Sequence, residues 1–270
     1  MKRLLGKALD NAISLGVVII VLFLIIPIRT ELLDFLLIIN IGLSIMILMI
    51  TMNISETLEF SIFPSLLLVT TLFRLGLNVS STRAILSKGY AGEVIQNFGN
   101  LITGGNIVVG VVIFLIIVLV QFIVITKGAE RVAEVAARFT LDAMPGKQMA
   151  IDADLSSGLI DEQTARVRRG KIQKEADFYG AMDGATKIVK GDAVMSLLIT
   201  LINFVGGVII GMVMGGGDFS TVLQKYSIVT IGDGLVSQLP ALMISTATGM
   251  IVTRSVSEGS LNKDVVAQFK

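Results

Sequence analysis

Residues 107–126 form a run of twenty side chains without a single charge. A helix of about 20 residues crosses the ~30 Å hydrocarbon core of a bilayer, and in lipid such a run satisfies its own backbone groups only by coiling into a helix. Five other stretches are similarly apolar, with at most one charge each, at 12–28, 32–51, 62–80, 193–214 and 228–253. The fold this predicts is all-α, a polytopic helical membrane protein of six spans. One long polar stretch, residues 127–192, interrupts them, and it is expected to fold as a helical cytoplasmic insert. The division follows directly: a membrane part at 1–126 with four spans, a charged loop at 127–192, and a second membrane part at 193–270 with two spans.

The chemistry on offer is narrow. With 53% hydrophobic residues and 16% charged, the chain is unlike an ordinary soluble domain. It has neither Cys nor His, hence no disulfide, no thiol nucleophile and no soft or imidazole metal ligand. No enzyme activity, cofactor or metal site is expected. The N-terminus carries Lys2, Arg3 and Lys7 ahead of an apolar run, in the manner of a signal peptide. That run lacks a small-residue cleavage site and ends in Pro27-Ile28-Arg29, so it reads as a retained first span.

Basic residues set the expected topology. With the N-terminus inside, the inner segments hold Lys2, Arg3, Lys7, the eleven Lys and Arg of the insert, Arg254, Lys263 and Lys270, and the outer ones only Arg29, Arg83, Lys88 and Lys225. The positive-inside rule then places both termini and the insert in the cytoplasm. The segment 81–106, rich in glycine, is expected outside as a turn-rich loop without chemistry of its own.

The insert balances its eleven basic residues with eleven acidic ones. That argues against a nucleic-acid surface and for ion pairing within or between subunits. Residues 127–144 read as a helix continuing the fourth span, with Glu134, Arg138 and Asp142 at i, i+4 and i+8, so Arg138 has a carboxylate on either side. Pro145-Gly146 should break it, and Asp161 is placed to cap the next helix. The run 178–184, Phe-Tyr-Gly-Ala-Met-Asp-Gly, is too apolar for a solvated face and should pack on something.

Polar residues within the spans must find partners or water. In the fifth span Asp192, Ser196, Thr200, Asn203, Gly207 and Gly211 fall on one helix face. That face is either a close-packing seam with a small-xxx-small step at Gly207 and Gly211, or a wet path. Asp233 lies between two glycines in the sixth span. Were that helix to start at Ile228, the carboxylate would be ~7 Å from its end. Arg74 sits near the middle of the third span with Asn78 at i+4, either in a structural ion pair or facing a wet cavity. The second span adds Asn40, Ser44 and Thr51 on one face.

Four blocks give the chain a resemblance. They are RLGLNVSSTRAIL at 74–86, FTLDAMPGKQMAIDAD at 139–154, DFYGAMDGA at 177–185 and KGDA at 190–193. Together they resemble the FHIPEP family, the export-gate proteins of flagellar and virulence type III secretion systems. The resemblance implies a subunit of a homo-oligomeric ring, nonameric in the family, in the bacterial inner membrane. It implies coupling of proton or sodium movement to export, contact with other export-apparatus membrane proteins, with lipid, and with exported proteins and chaperones, and no nucleic-acid partner. By similarity Arg131, Arg138, Asp142, Lys187 and Asp192 match charged positions important for export, with Asp183 in the same charged network. Asp192 is the first candidate for cation handling, because it stands where the loop meets the polar face of the fifth span, and Asp233 is the second. Arg74, Asn78 and Arg83 belong to the signature block as structural polar residues. Family members also carry eight spans and a C-terminal cytoplasmic domain that docks substrates, so the resemblance implies a continuation past Lys270. A stand-alone ion or small-molecule transporter is the alternative, and a plain membrane anchor the third reading.

Overall fold

A computed structural model describes residues 14–123, 128, 130–215 and 218–254. Lys2, Arg3, Lys7, Lys263, Lys270 and the expected helical join between the fourth span and the insert lie outside them. Every regular element among the described residues is helical. In chain order these are α1 (Ser14–Phe23), α2 (Thr30–Asn53), a 3-10 turn (Thr57–Phe60), α3 (Phe63–Lys88), α4 (Glu93–Thr103), α5 (Ile107–Ile123), α6 (Glu130–Asp142), α7 (Met144–Ser156), α8 (Glu162–Gly215) and α9 (Phe219–Val252). Helices α2, α3, α8 and α9 are each long and apolar enough to cross a membrane, and α4 with α5 qualifies as a pair bent by 102°. Leu, Ile, Val, Met and Phe on the outer faces of α2, α5 and α8 stand exposed, as lipid-facing residues should.

Besides α1, which at ten described residues is shorter than the first span expected at 12–28, two elements differ in kind from expectation. The segment 81–106 is mostly helix, since α3 continues to Lys88 and α4 follows. Gly89 and Gly104 adopt left-handed conformations that close α3 and α4, so these glycines are helix C-caps within a folded region. Second, α8 runs unbroken for 54 residues, through Gly170, Gly180, Gly184 and Gly191, and joins the insert to the fifth span as one rod. Its start is as expected. Asp161 Oδ1 accepts the Thr164 N–H at 2.8 Å, the N-cap bond of that helix.

Two apolar clusters hold the bundle. One gathers Ile47 of α2 and Ile54 just past its end, Phe63 and Leu67 of α3, Ala133 and Ala137 of α6, and Ile244 to Val252 of α9 around Phe178, Tyr179, Met182, Ala185 and Val189 of α8. The apolar run of the insert therefore packs on α6 and on the ends of the spans. The other cluster lies at the far end and joins α2, α3, α4 and α9 through Leu33, Leu37, Leu77, Ile85, Ile95 and Val229. Here α4 meets α9 backbone to backbone. A Cβ on Gly232 would lie 1.9 Å from the Ile95 carbonyl oxygen, and one on Gly99 2.1 Å from that of Ile228. The N-terminus of α4 is held from α2, with Asp34 accepting the Glu93 and Val94 N–H groups at 2.8 and 3.0 Å.

Candidate functional site

Where α3, α8 and α9 meet, polar side chains of all three face inward. From α3 come Arg74, Asn78 and Ser81, at i, i+4 and i+7. From α8 come Asp192 and Asn203, three turns or ~16 Å apart along the axis. From α9 come Asp233 and Ser237, at i and i+4. All seven are buried.

The Arg74 guanidinium donates from Nη2 to Asp192 Oδ2 in a salt bridge whose side chains are 2% and 1% exposed. One turn along, the Ser237 hydroxyl donates to Asn78 Oδ1 at 2.7 Å. Further on, the Asn203 amide donates to Asp233 Oδ2 at 2.8 Å, and the Ser81 hydroxyl, which donates to the Asn78 carbonyl at 3.0 Å, lies beside the same carboxylate. These contacts form a column of three links running from an ion pair to a carboxylate held by neutral groups. Several of its atoms have no partner among the described residues: Arg74 Nε and Nη1, Asp192 Oδ1, Asn78 Nδ2 and Asn203 Oδ1, with Gln238 Oε1 and Thr230 Oγ1 on α9. Buried polar groups ordinarily find partners, so so many together mark a region suited to water or an ion.

Asp233 is deeper than a helix starting at Ile228 would put it. Because α9 begins at Phe219, the carboxylate lies fourteen residues in, ~21 Å from the helix start. The signal available in the sequence was the polar run Phe219 to Ser227, which is helical here because Asp218 caps it through the Ser220 N–H. The face of α8 divides in two. Its Asp192 and Asn203 join the column, whereas Gly207 and Gly211 receive the Tyr226 ring of α9 and form a close-packed notch.

The remaining candidates stand apart from the column. Arg83 is exposed and donates to the Ile25 carbonyl at 2.9 Å, tying α3 to the chain after α1. On α6 Glu134 lies 2.9 Å from Arg131 and 3.7 Å from Arg138, all three at least partly exposed. Arg138 pairs toward Glu134 and, among the described residues, forms no ion pair with Asp142, whose side chain points to solvent. Lys187 pairs with Asp183 at 2.7 Å, one turn back on α8. Across the insert, Lys147–Glu175, Arg168–Asp154 and Arg169–Asp152 fasten α7 to α8, so its charge balance is spent largely on pairing within the chain. Outside the membrane helices, hydrogen bonds from Thr164 hold the Asp161 carboxyl below the usual range. Among the described residues no three Asp or Glu gather to hold a metal ion.

Sequence reasoning did not single out Asp34, Gln238 or Arg254. The buried Arg254 guanidinium donates to the Met52 carbonyl at 2.8 Å and the Thr51 carbonyl at 3.4 Å, joining the end of α9 to the end of α2. A basic residue just past a span reads in sequence only as a topology signal, which hides such a role.

A family model described as the FHIPEP family matches residues 20–270. The chain belongs to the FHIPEP family. Among FHIPEP relatives, it is 58% identical over 260 residues to "Flagellar biosynthesis protein FlhA" of Bacillus subtilis, covering 96% of this chain and 38% of that protein. It is 50% identical over 271 residues to the protein of the same name from Salmonella typhimurium, covering 97% and 39%. To "Low calcium response locus protein D" of Yersinia pestis it is 51% identical over 272 residues, covering 98% and 39%. The chain thus spans about two fifths of the length of these curated relatives. No solved structure is significantly similar to it. The FHIPEP blocks meet in the column: the first supplies Arg74, Asn78 and Ser81, and the last supplies Asp192.

Proposed function

We propose that this chain is the membrane part of a type III protein export gate, a subunit of a homo-oligomeric ring that couples proton or sodium movement to the export of flagellar or virulence proteins. The observation that carries this reading is the buried column Arg74–Asp192, Asn78–Ser237 and Asn203–Asp233. Ionisable groups are costly within membrane helices and characteristically mark ion pathways. Membership of FHIPEP supplies the export role, by similarity to relatives named for flagellar biosynthesis. In this reading the protein sits in the bacterial inner membrane with the insert in the cytoplasm, alongside other membrane proteins of the apparatus. In this reading the chain divides into a membrane part at 1–126, the insert at 127–192 and a second membrane part at 193–270, with α8 as the rod that carries motion between insert and column. Exported proteins and chaperones engage the part of the relatives that this chain does not span.

An export assay on the intact protein in its cell tests the coupling. Dissipating the proton and sodium gradients together should stop export, and so should Asp192→Asn with Asp233→Asn at normal protein levels. Export that persists under either treatment sinks the coupling. For the ring, the mass of the intact protein in lipid discs decides, since a strictly monomeric species favours a stand-alone carrier.

A further inference from the structure

We infer that the two carboxylates of the column have different duties: Asp233 binds the moving monovalent cation, and Asp192 is the fixed counter-ion of Arg74. This rests on the coupling reading above and assigns its site. At Asp192 a guanidinium already occupies one carboxylate oxygen, with both side chains almost fully buried. A second cation there would sit against the first in a medium of low dielectric. Among the described residues Asp233 has no such partner. The groups that meet it are the Asn203 amide from α8 and the Ser81 hydroxyl from α3. Its neighbour Gly234 faces the Phe114 ring of α5 and the Thr200 hydroxyl, and Gly232 faces the backbone of α4. From α2 the buried polar groups are Asn40, Ser44 and Thr51, all neutral. The closest titratable groups along the column are Arg74 and Asp192, themselves paired, and Arg74 stands two turns, ~10 Å, from Ser81.

The helices that meet at Asp233 also carry oxygens left open. Among the described residues Asn203 Oδ1 and Thr230 Oγ1 are buried and without partners, and Thr230 lies one turn before Asp233 on the same helix. One carboxylate plus neutral oxygens suits a single hard monovalent cation, either Na+ or a proton carried with water. Bound there, it neutralises a charge that nothing else in the column balances.

The test uses the intact protein in its cell, with export read against imposed proton and sodium gradients. Asp233→Asn should lower export at least about tenfold while the protein accumulates normally. Arg74→Gln and Asp192→Asn should each impair it, and the double variant, which removes both charges at once, should recover to within about threefold of wild type. Should Asp233→Asn not accumulate, Asn203→Ala keeps the carboxylate and should raise the half-maximal cation requirement about fivefold or more. Titrating Na+ at fixed pH, and pH without Na+, shows which cation shifts. A double variant as impaired as Asp192→Asn alone, an active Asp233→Asn, or an unshifted Asn203→Ala overturns the assignment. Wild-type export indifferent to both gradients overturns the coupling reading and the assignment with it.

Discussion

The Arg74–Asp192 and Arg166–Glu162 pairs share α8, about seven turns apart, and behave as different objects. The first is a cross-helix bond with side chains 2% and 1% exposed, the second an i, i+4 contact with side chains 75% and 73% exposed. In the first, bulk solvent does not compete with the bond. In the second, water already competes with the bond. The membrane column therefore turns on single bonds, whereas the insert distributes its charge over many weak ones.

Removing one member of the buried pair should give the largest effect. Asp192→Ala leaves a guanidinium unpaired between α3 and α8 and should cost about 3–5 kcal/mol. Thermal unfolding of the intact protein in detergent measures it. If Asp192→Ala costs no more than a surface change, the pair is not the clasp described. Next in size is the backbone contact of α4 on α9. Gly232→Ala forces a methyl against a carbonyl oxygen that cannot swing away, and should cost about 1–3 kcal/mol with α4 displaced. Cross-linking between α4 and α9 checks the displacement.

The same contrast explains what the sequence disclosed. Span positions were readable because each apolar run is long and carries at most one charge, and α2, α3, α8 and α9 cover the expected runs to within one residue. Asp192, Asn203, Arg74 and Asn78 stood out because polar residues are conspicuous in such runs. Their pairing did not, since Arg74 and Asp192 are 118 residues apart and periodicity reports only the face of one helix. Helix α4 was hidden for a related reason. Gly89, Gly92, Gly99, Gly104 and Gly105 look like loop residues, and only tertiary contact distinguishes a C-cap at Gly89 from a helix–helix contact at Gly99. In the insert, local signals sufficed at Asp161, whose cap is a bond to Thr164 three residues away.

That cap separates the regions by pH. Because Thr164 depresses the Asp161 carboxyl in the folded protein, the stabilisation is present above the ordinary aspartate range and lost as pH falls through the lowered value. Amide exchange over the first turn of α8 should therefore quicken on acidification below about pH 4. Asp161→Asn, which still caps but does not titrate, should flatten the dependence. Exchange that is flat with pH in the wild-type protein removes the cap from the account.

The smallest effect is the most discriminating. Arg166→Ala breaks an exposed i, i+4 pair and should cost no more than about 0.5 kcal/mol at low salt. At ~1 M salt the Debye length falls to about 3 Å, so the cost should vanish. The cost of Asp192→Ala should persist, because bulk salt screens little between side chains only 2% and 1% exposed. Measuring both variants across the same salt series compares the regions directly. A salt-sensitive Asp192→Ala would mean that the column is open to bulk solvent. The unpaired Asn203 and Thr230 oxygens would then be hydrated surface, and Asp233 would have no need of a bound cation.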